Sequence, residues 1–168
     1  MKRKFITTII FLCISLSGCK YYSISGIDVG DAKTVQIDFF KNEASLVAPS
    51  LSQKFTETLQ ELFTSQTNLD LISLNGDLYF SGEIIGYNIV PLSGLSNQKS
   101  AQNRLTVNIN VHFINKLNDL KNFEKIFSFY SDFEANSQLT KGILDNALSI
   151  INERISQDIF NLAVSNNF

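Results

Sequence analysis

Arg104 to Asn115 alternates more regularly than any other stretch of the chain. Leu105, Val107, Ile109, Val111 and Phe113 point one way, and Thr106, Asn108, Asn110 and His112 the other. A period of two marks a strand buried on one face. After a turn near Asn118-Asp119, Phe123 to Phe133 repeats it, with Phe127, Phe129 and Phe133 opposite Ile126, Ser128, Tyr130 and Asp132. The two segments predict an antiparallel hairpin. Lys33 to Phe40 also alternates, with Val35, Ile37 and Phe39 on the apolar side and Thr34, Gln36 and Asp38 on the other. Leu69 to Leu74 reads as a short strand, and Asn75-Gly76 predicts a type I′ hairpin into a returning strand, Asp77 to Val90. Gly82 and Gly86 within it predict a bulge or a sharp bend, and Pro91 its end. Leu92 to Asn103 is a polar loop longer than packing usually requires.

Two segments change to a helical period. From Pro49-Ser50 to about Thr67, Leu51, Phe55, Leu59, Leu62 and Phe63 form one stripe, with Lys54, Glu57, Gln60 and Glu61 outside. From about Thr140 to Ser165 the stripe is Ile143, Leu144, Ala147, Leu148, Ile151, Ile155, Ile159 and Leu162, with Asn152, Glu153, Asn161 and Asn166 facing outward. The order is β-α-β-β-β-β-α. Two helices each burying one face on a mostly antiparallel sheet define an α+β two-layer sandwich.

The N-terminus follows a different pattern. Lys2, Arg3 and Lys4 precede an apolar run from Phe5 to Leu16, which ends in Leu16-Ser17-Gly18-Cys19. The run is too short to span a bilayer, which takes about 20 apolar residues. It has the charged start, apolar stretch and small-residue exit of a secretory leader. An aliphatic residue, two small residues and a cysteine form the lipoprotein processing box, so Cys19 is the expected lipidation site. It would carry an N-acyl diacylglycerol built from chains such as palmitate. Each buried methylene contributes about 0.8 kcal/mol, and several chains anchor firmly. Residues 1–18 are therefore expected to be removed, 19–32 to form the lipidated N-terminus and tether, and 33–168 to form a single domain. Lys20 after the cysteine, where Asp would signal inner-membrane retention, points to the outer membrane. Lys20-Tyr21-Tyr22 lacks the acidic run of a surface-export signal, which favours the periplasmic side.

Charge and chemistry narrow the picture. The chain has 14 basic and 16 acidic residues. Loss of the leader's three basic residues leaves 11 against 16, a net charge of −5 on 150 residues. A net acidic domain is a poor nucleic-acid binder. Cys19 is the sole cysteine left after cleavage, which removes disulfides and thiolate metal sites from the monomer. His112, the single histidine, sits on a polar strand face, where it reads as an ordinary sheet-surface residue. Ser93-Gly94-Leu95-Ser96 lacks a hydrolase elbow, and the scattered glycines make no phosphate loop. Glu83, Asp132 and Glu134 could serve a glycosidase only if the fold paired two of them. No catalytic residue, metal site or cofactor site is expected. Lys99 and Arg104 flank the long loop, and Lys116, Lys121 and Lys125 cluster at the last hairpin turn. Of these, Lys99, Arg104, Lys121 and Lys125 are the candidate contacts for a lipid headgroup phosphate or for a barrel wall.

Several segments in order resemble the LptE family of Bacteroidetes-type lipoproteins. They are Thr34-Val35-Gln36-Ile37 through Phe39-Phe40, Pro49-Ser50-Leu51-Ser52 and Phe55-Thr56-Glu57. Farther on come Asn75-Gly76-Asp77-Leu78, Gly82-Glu83-Ile84 with Gly86-Tyr87, Asn103-Arg104-Leu105-Thr106 and Asp158-Ile159-Phe160-Asn161. The resemblance implies an outer-membrane protein of lipopolysaccharide assembly, seated as a plug in the lumen of an LptD-type β-barrel. It implies help in folding that barrel and contact with lipopolysaccharide, on a fold of two helices over a mostly antiparallel sheet. Only Cys19 transfers residue by residue. Two other readings make different predictions. A stand-alone periplasmic glycan- or lipid-binding module needs an apolar cleft between helices and sheet. An envelope hydrolase needs Glu83 or Asp132 in a catalytic pair.

Overall fold

The computed structural model describes residues 27, 29–45, 50–92, 102–134 and 141–165. The leader, Cys19, most of the tether, Lys99 and residues 93–101 of the polar loop lie outside them. The elements are β1 (Thr34–Ile37), β2 (Lys41–Asn42), α1 (Leu51–Gln66), β3 (Asp70–Leu71), β4 (Leu78–Leu92), β5 (Gln102–Asn115), β6 (Phe123–Glu134) and α2 (Lys141–Ser165). A 3-10 turn, Asp119–Lys121, joins β5 to β6. The strands form one mixed, open sheet in the order β3-β1-β4-β5-β6, with β2 also paired to β4. β4–β5 and β5–β6 are long antiparallel ladders, while β1–β3, β1–β4 and β2–β4 are short parallel ones. α1 packs over β1, β2 and β3, α2 over β5 and β6, and the helices touch each other. The α+β class and the two-helix layer are as expected.

The hairpin expected at Asn75-Gly76 does not form. Asn75 does take a left-handed φ of 63°. β3 and β4, however, are parallel to each other with β1 between them. Residues 72–77 step across the end of β1, and a Cβ on Gly76 would stand 2.6 Å from the Gln36 backbone nitrogen. A tolerance for positive φ is local; which strand becomes the neighbour is decided by burial of the whole of β1, where Val35 is fully buried and Ile37 nearly so.

The expected strand Lys33–Phe40 breaks after Ile37 and resumes as β2. Phe39, expected inside, is 57% exposed, and Phe40 is fully buried in its place. Two contacts set this shift. The Phe40 N–H donates to Thr56 Oγ1 on α1 at 3.1 Å. Gly82 on β4 leaves the space the ring needs, since a Cβ there would come 2.6 Å from Phe40 Cε1. At Gly86 the expected irregularity is present, as the β4–β5 register shifts between Ile84 and Gly86. Pro91 lies inside the end of β4, opposite Asn103, rather than beyond it.

The core is a relay of phenylalanine rings. Phe160 of α2 meets Phe63 of α1 at 4.9 Å between centroids, and Phe63 meets Phe80 of β4 at 4.8 Å. Phe80 meets Phe113 of β5 at 4.6 Å, and Phe113 meets Phe123 of β6 at 5.0 Å. Each fully buried large apolar side chain stabilises the fold by about 1.5–3 kcal/mol. Asn152, expected on the outer side of α2, is buried, as is Ser156. With Phe160 they stand at i, i+4 and i+8 and form the edge of α2 that turns toward α1. A helix covered from two sides buries a wider arc than one stripe.

Candidate interaction surface

The helices cover one side of the sheet. On the other side the register sets out rows across β4, β5 and β6. Glu83, Asn110 and Ile126 form one row; Gly86, Asn108 and Ser128 the next; then Asn88, Thr106 and Tyr130; then Val90, Arg104 and Asp132. This face mixes hydrogen-bonding groups with exposed apolar ones. Ile85, Val90, Ile114 and Ile126 are 38–57% exposed, and Tyr130 is 47% exposed. The polar half was legible in the alternation of β5. The apolar positions were legible too, but they gain meaning only once the registers bring them onto one surface.

Arg104 closes the far row. Its Nε and Nη2 donate to Asp132 Oδ1 and Oδ2 at 2.7 and 2.8 Å, a bidentate fork. Its Cζ stands 3.6 Å from the Tyr130 ring centroid. The pairing raises the Arg104 pKa, and the guanidinium holds the Asp132 carboxyl below the usual carboxylate range. Arg104 therefore presents a neutralised, planar unit rather than a free cation. Facing register across the β5–β6 hairpin is the sequence signal that would have found this pair.

The other candidate cations are elsewhere. Lys121 ends the 3-10 turn at the opposite end of the hairpin, and Lys125 faces Val111, with Nζ 5.2 Å from the Phe127 ring. Seven residues of β5 separate Arg104 from Val111, roughly 23 Å at strand rise. Lys116 and Lys121 flank the turn at one end, Lys125 stands farther along β6 opposite Val111, five residues of β5 from Lys116, and Arg104 is at the other end. That turn also exposes Leu117 (54%) and Leu120 (96%), apolar positions missing from the sequence reading.

Glu83 stands opposite Asn110 and Asp132 opposite Arg104, six residues of β5 apart, about 20 Å. Asp132 and Glu134 share a face of β6 about 7 Å apart, but both Asp132 oxygens are held in the Arg104 fork. A glycosidase needs two carboxyls at about 5–9.5 Å, each able to act on the scissile bond. His112 is a sheet-surface residue, with Nδ1 3.5 Å from Glu124 Oε2 and Nε2 3.2 Å from Asn110 Nδ2. Among the described residues no three His, Cys, Asp or Glu side chains group to hold a metal, and no helix is long and apolar enough to cross a membrane. Among the described residues the phenylalanine relay occupies the centre of the helix–sheet interface. Hollows open at its margins, one of about 540 Å³ between β6 and α2 near Lys125 and Asp158, others of about 310 and 240 Å³ between the helices near Thr58.

At the β1 end, the sheet is locked by polar contacts. Asp77 Oδ2 accepts from the Lys33 N–H (2.9 Å), the Thr34 N–H (3.0 Å) and Thr34 Oγ1 (2.8 Å). The Asp77 N–H donates back to Thr34 Oγ1 at 2.9 Å. These donors lower the Asp77 pKa, the Lys33 N–H and Thr34 hydroxyl foremost. Nearby, Tyr79 Oη donates to Asp38 Oδ2 at 2.7 Å, which raises the Tyr79 pKa.

Among the described residues, a two-layer core lies beneath a hydrogen-bonding sheet face that no helix or strand covers. The family model LptE, described as "Lipopolysaccharide-assembly", matches residues 32–162, and the chain belongs to this family. The family is non-enzymatic, acts in lipopolysaccharide assembly in the cell envelope and carries no cofactor. No curated protein matches the sequence. Among solved structures, a protein from Xanthomonas campestris is 8% identical with a TM-score of 0.50, covering 80% of this chain and 85% of its own, and shares the fold. Rare lipoprotein B from Shewanella oneidensis is 11% identical with a TM-score of 0.44, over 77% of this chain and 92% of its own. A minor lipoprotein from Acinetobacter baumannii is 11% identical with a TM-score of 0.42, over 78% of this chain and 91% of its own.

Proposed function

We propose that this chain is a lipid-anchored outer-membrane protein that plugs and supports an LptD-type β-barrel during lipopolysaccharide transport to the outer leaflet. Family membership sets the process. The uncovered β4–β5–β6 face carries the plug role. Its rows of Asn, Thr and Ser suit the hydrogen-bonding wall of a barrel lumen, and its exposed Ile, Val and Tyr side chains supply apolar contact. Cys19 is the anchor, residues 1–18 the removed leader, 19–32 the tether and 33–168 the plug domain, held on the periplasmic side. Lys121 and Lys125 remain the candidate contacts for lipopolysaccharide phosphate, joined by Lys99 in the polar loop. Arg104, already forked onto Asp132, contributes shape and stacking instead.

An obligate partner of this kind buries roughly 2,000 Å² or more. Affinity purification of the full-length protein from envelopes in mild detergent is expected to recover one large barrel protein in stoichiometric amount. Recovery of no barrel would sink this reading. Lipid extraction of the domain expressed without its anchor tests the stand-alone alternative. It is expected to yield no tightly held ligand, in keeping with the phenylalanine rings that occupy the centre of the helix–sheet interface.

A further inference from the structure

The two edges of the sheet are unlike. β3, at one edge, is two residues long, the short form that resists pairing. β6, at the other, is twelve residues long, contains no proline and holds an unbroken register with β5 from Phe123 to Glu134. Its charges are at its ends, Glu124 and Lys125 at one and Asp132 and Glu134 at the other. Ile126-Phe127-Ser128-Phe129-Tyr130-Ser131 between them is uncharged and of high strand propensity. Among the described residues no strand covers the outer side of β6.

The direction of its backbone groups follows from one hydrogen bond. The Lys116 N–H donates to the Asp77 carbonyl at 2.9 Å, and these residues stand opposite each other in the continued β4–β5 register. Opposed residues in an antiparallel ladder alternate between pairs that exchange hydrogen bonds and pairs that do not. Even-numbered residues of β5 therefore bond to β4 and odd-numbered ones to β6. Since Phe113 faces Phe123, the odd-numbered residues of β6 take those bonds. Ile126, Ser128, Tyr130 and Asp132 are left with N–H and C=O aimed away from the sheet.

We propose that this edge, centred on Ser128, pairs with an extended segment of the barrel partner, which adds a strand to the sheet. The inference rests on the plug reading above. A second copy of this chain fits less well. Of the two longest two-fold registers that match the outward groups, one places Glu124 opposite Glu134, where facing like charges repel. The other places it opposite Asp132, whose oxygens are already taken up by Arg104 and offer Glu124 no partner. A partner segment with an uncharged centre meets no such penalty. Its side chains on the helix side would enter the open hollow between β6 and α2, past Lys125, Asp158 and Asn161.

The test uses the full-length protein with its co-purified barrel. Ser128→Pro removes an outward N–H and sets a ring in the path of the incoming strand, while the bonds to β5 stay in place. Ser128→Ala keeps the N–H. Ser128→Pro is expected to recover about tenfold less barrel than Ser128→Ala, the reference that lacks the same hydroxyl but keeps the N–H. Amide hydrogen exchange on the wild-type complex is the second measurement. The amides of Ile126, Ser128, Tyr130 and Asp132 are expected to exchange on the order of a hundredfold slower in the complex than in the free protein. A folded Ser128→Pro variant that recovers as much barrel as Ser128→Ala overturns the proposal, as do outward amides that exchange equally fast in both states. If Ser128→Pro does not fold, the wild-type exchange decides. Protection of the same amides in a dimer of the isolated protein overturns it in favour of self-pairing. Wild type that recovers no barrel defeats the plug reading and this inference together, whereas barrel recovered with unprotected amides defeats this inference alone.

Discussion

Asp77 concentrates more polar contact than any other single side chain described above, and its charge gives the fold a pH dependence. Its pKa is lowered from the ordinary 3.8 by donors that exist only in the folded state. The stabilisation is therefore complete above about pH 4 and declines as pH falls through the lowered folded value. Asp77→Asn is expected to lose about 1–2 kcal/mol at pH 7, read by urea unfolding. The gap to wild type should narrow by pH 3; a gap of constant size would show that charge is not the cause. Ser156 makes the opposite case. Its hydroxyl is buried without a hydrogen-bond partner among the described residues, as is Asn152 Oδ1. Ser156→Ala is expected to be neutral or to stabilise by up to about 1 kcal/mol, whereas Phe160→Ala one turn away should cost about 3–5 kcal/mol in the same unfolding measurement. The sequence pattern placed Asn152 in water because a polar residue beside one apolar stripe reads as its border. The second contact surface, against α1, was invisible without knowing that the two helices adjoin.

Among the elements, β5 and β6 were read correctly because their pattern and their pairing agree. Five alternate apolar residues of β5 are buried beneath the helices, and the adjacent strand is the one that follows in the chain. β1, β3 and β4 resisted reading because chain order and spatial order part company there. The Asn75-Gly76 signal was right about backbone and silent about neighbours. Likewise Phe39 and Phe40 differ by one position along the chain but by a whole layer in space, and the residue that decides between them, Gly82, lies on another strand. Gly82→Ala therefore tests the element. An added methyl would collide with the Asn110 carbonyl oxygen as well as with the Phe40 ring. A loss of about 3 kcal/mol or more is expected in denaturant titrations. Unchanged stability would show that β2 and α1 can shift without cost, contrary to the contact between Phe40 and Thr56.

At the scale of the molecule, and among the described residues, the helices shield one side of the sheet and leave the β4–β5–β6 face open to solvent. The proposed anchor at Cys19 would be a third component, separable from the fold. Cys19→Ser is expected to move the protein from the membrane fraction to the soluble one while leaving the melting temperature of the domain unchanged, and a large drop in melting temperature would show that the tether is part of the fold. The position of β1 then acquires a mechanical meaning. The segment that follows Cys19 in the chain runs into a strand flanked on both sides by parallel neighbours, and Asp77 grips that strand at its first residues. Tension along the N-terminus, with the rest of the domain held, loads the slanted hydrogen bonds of both ladders together in shear rather than peeling them one at a time. In the proposed assembly, with Cys19 lipidated and the sheet held by the barrel, a pull on the anchor would run along β1 and both of its ladders would bear it in shear.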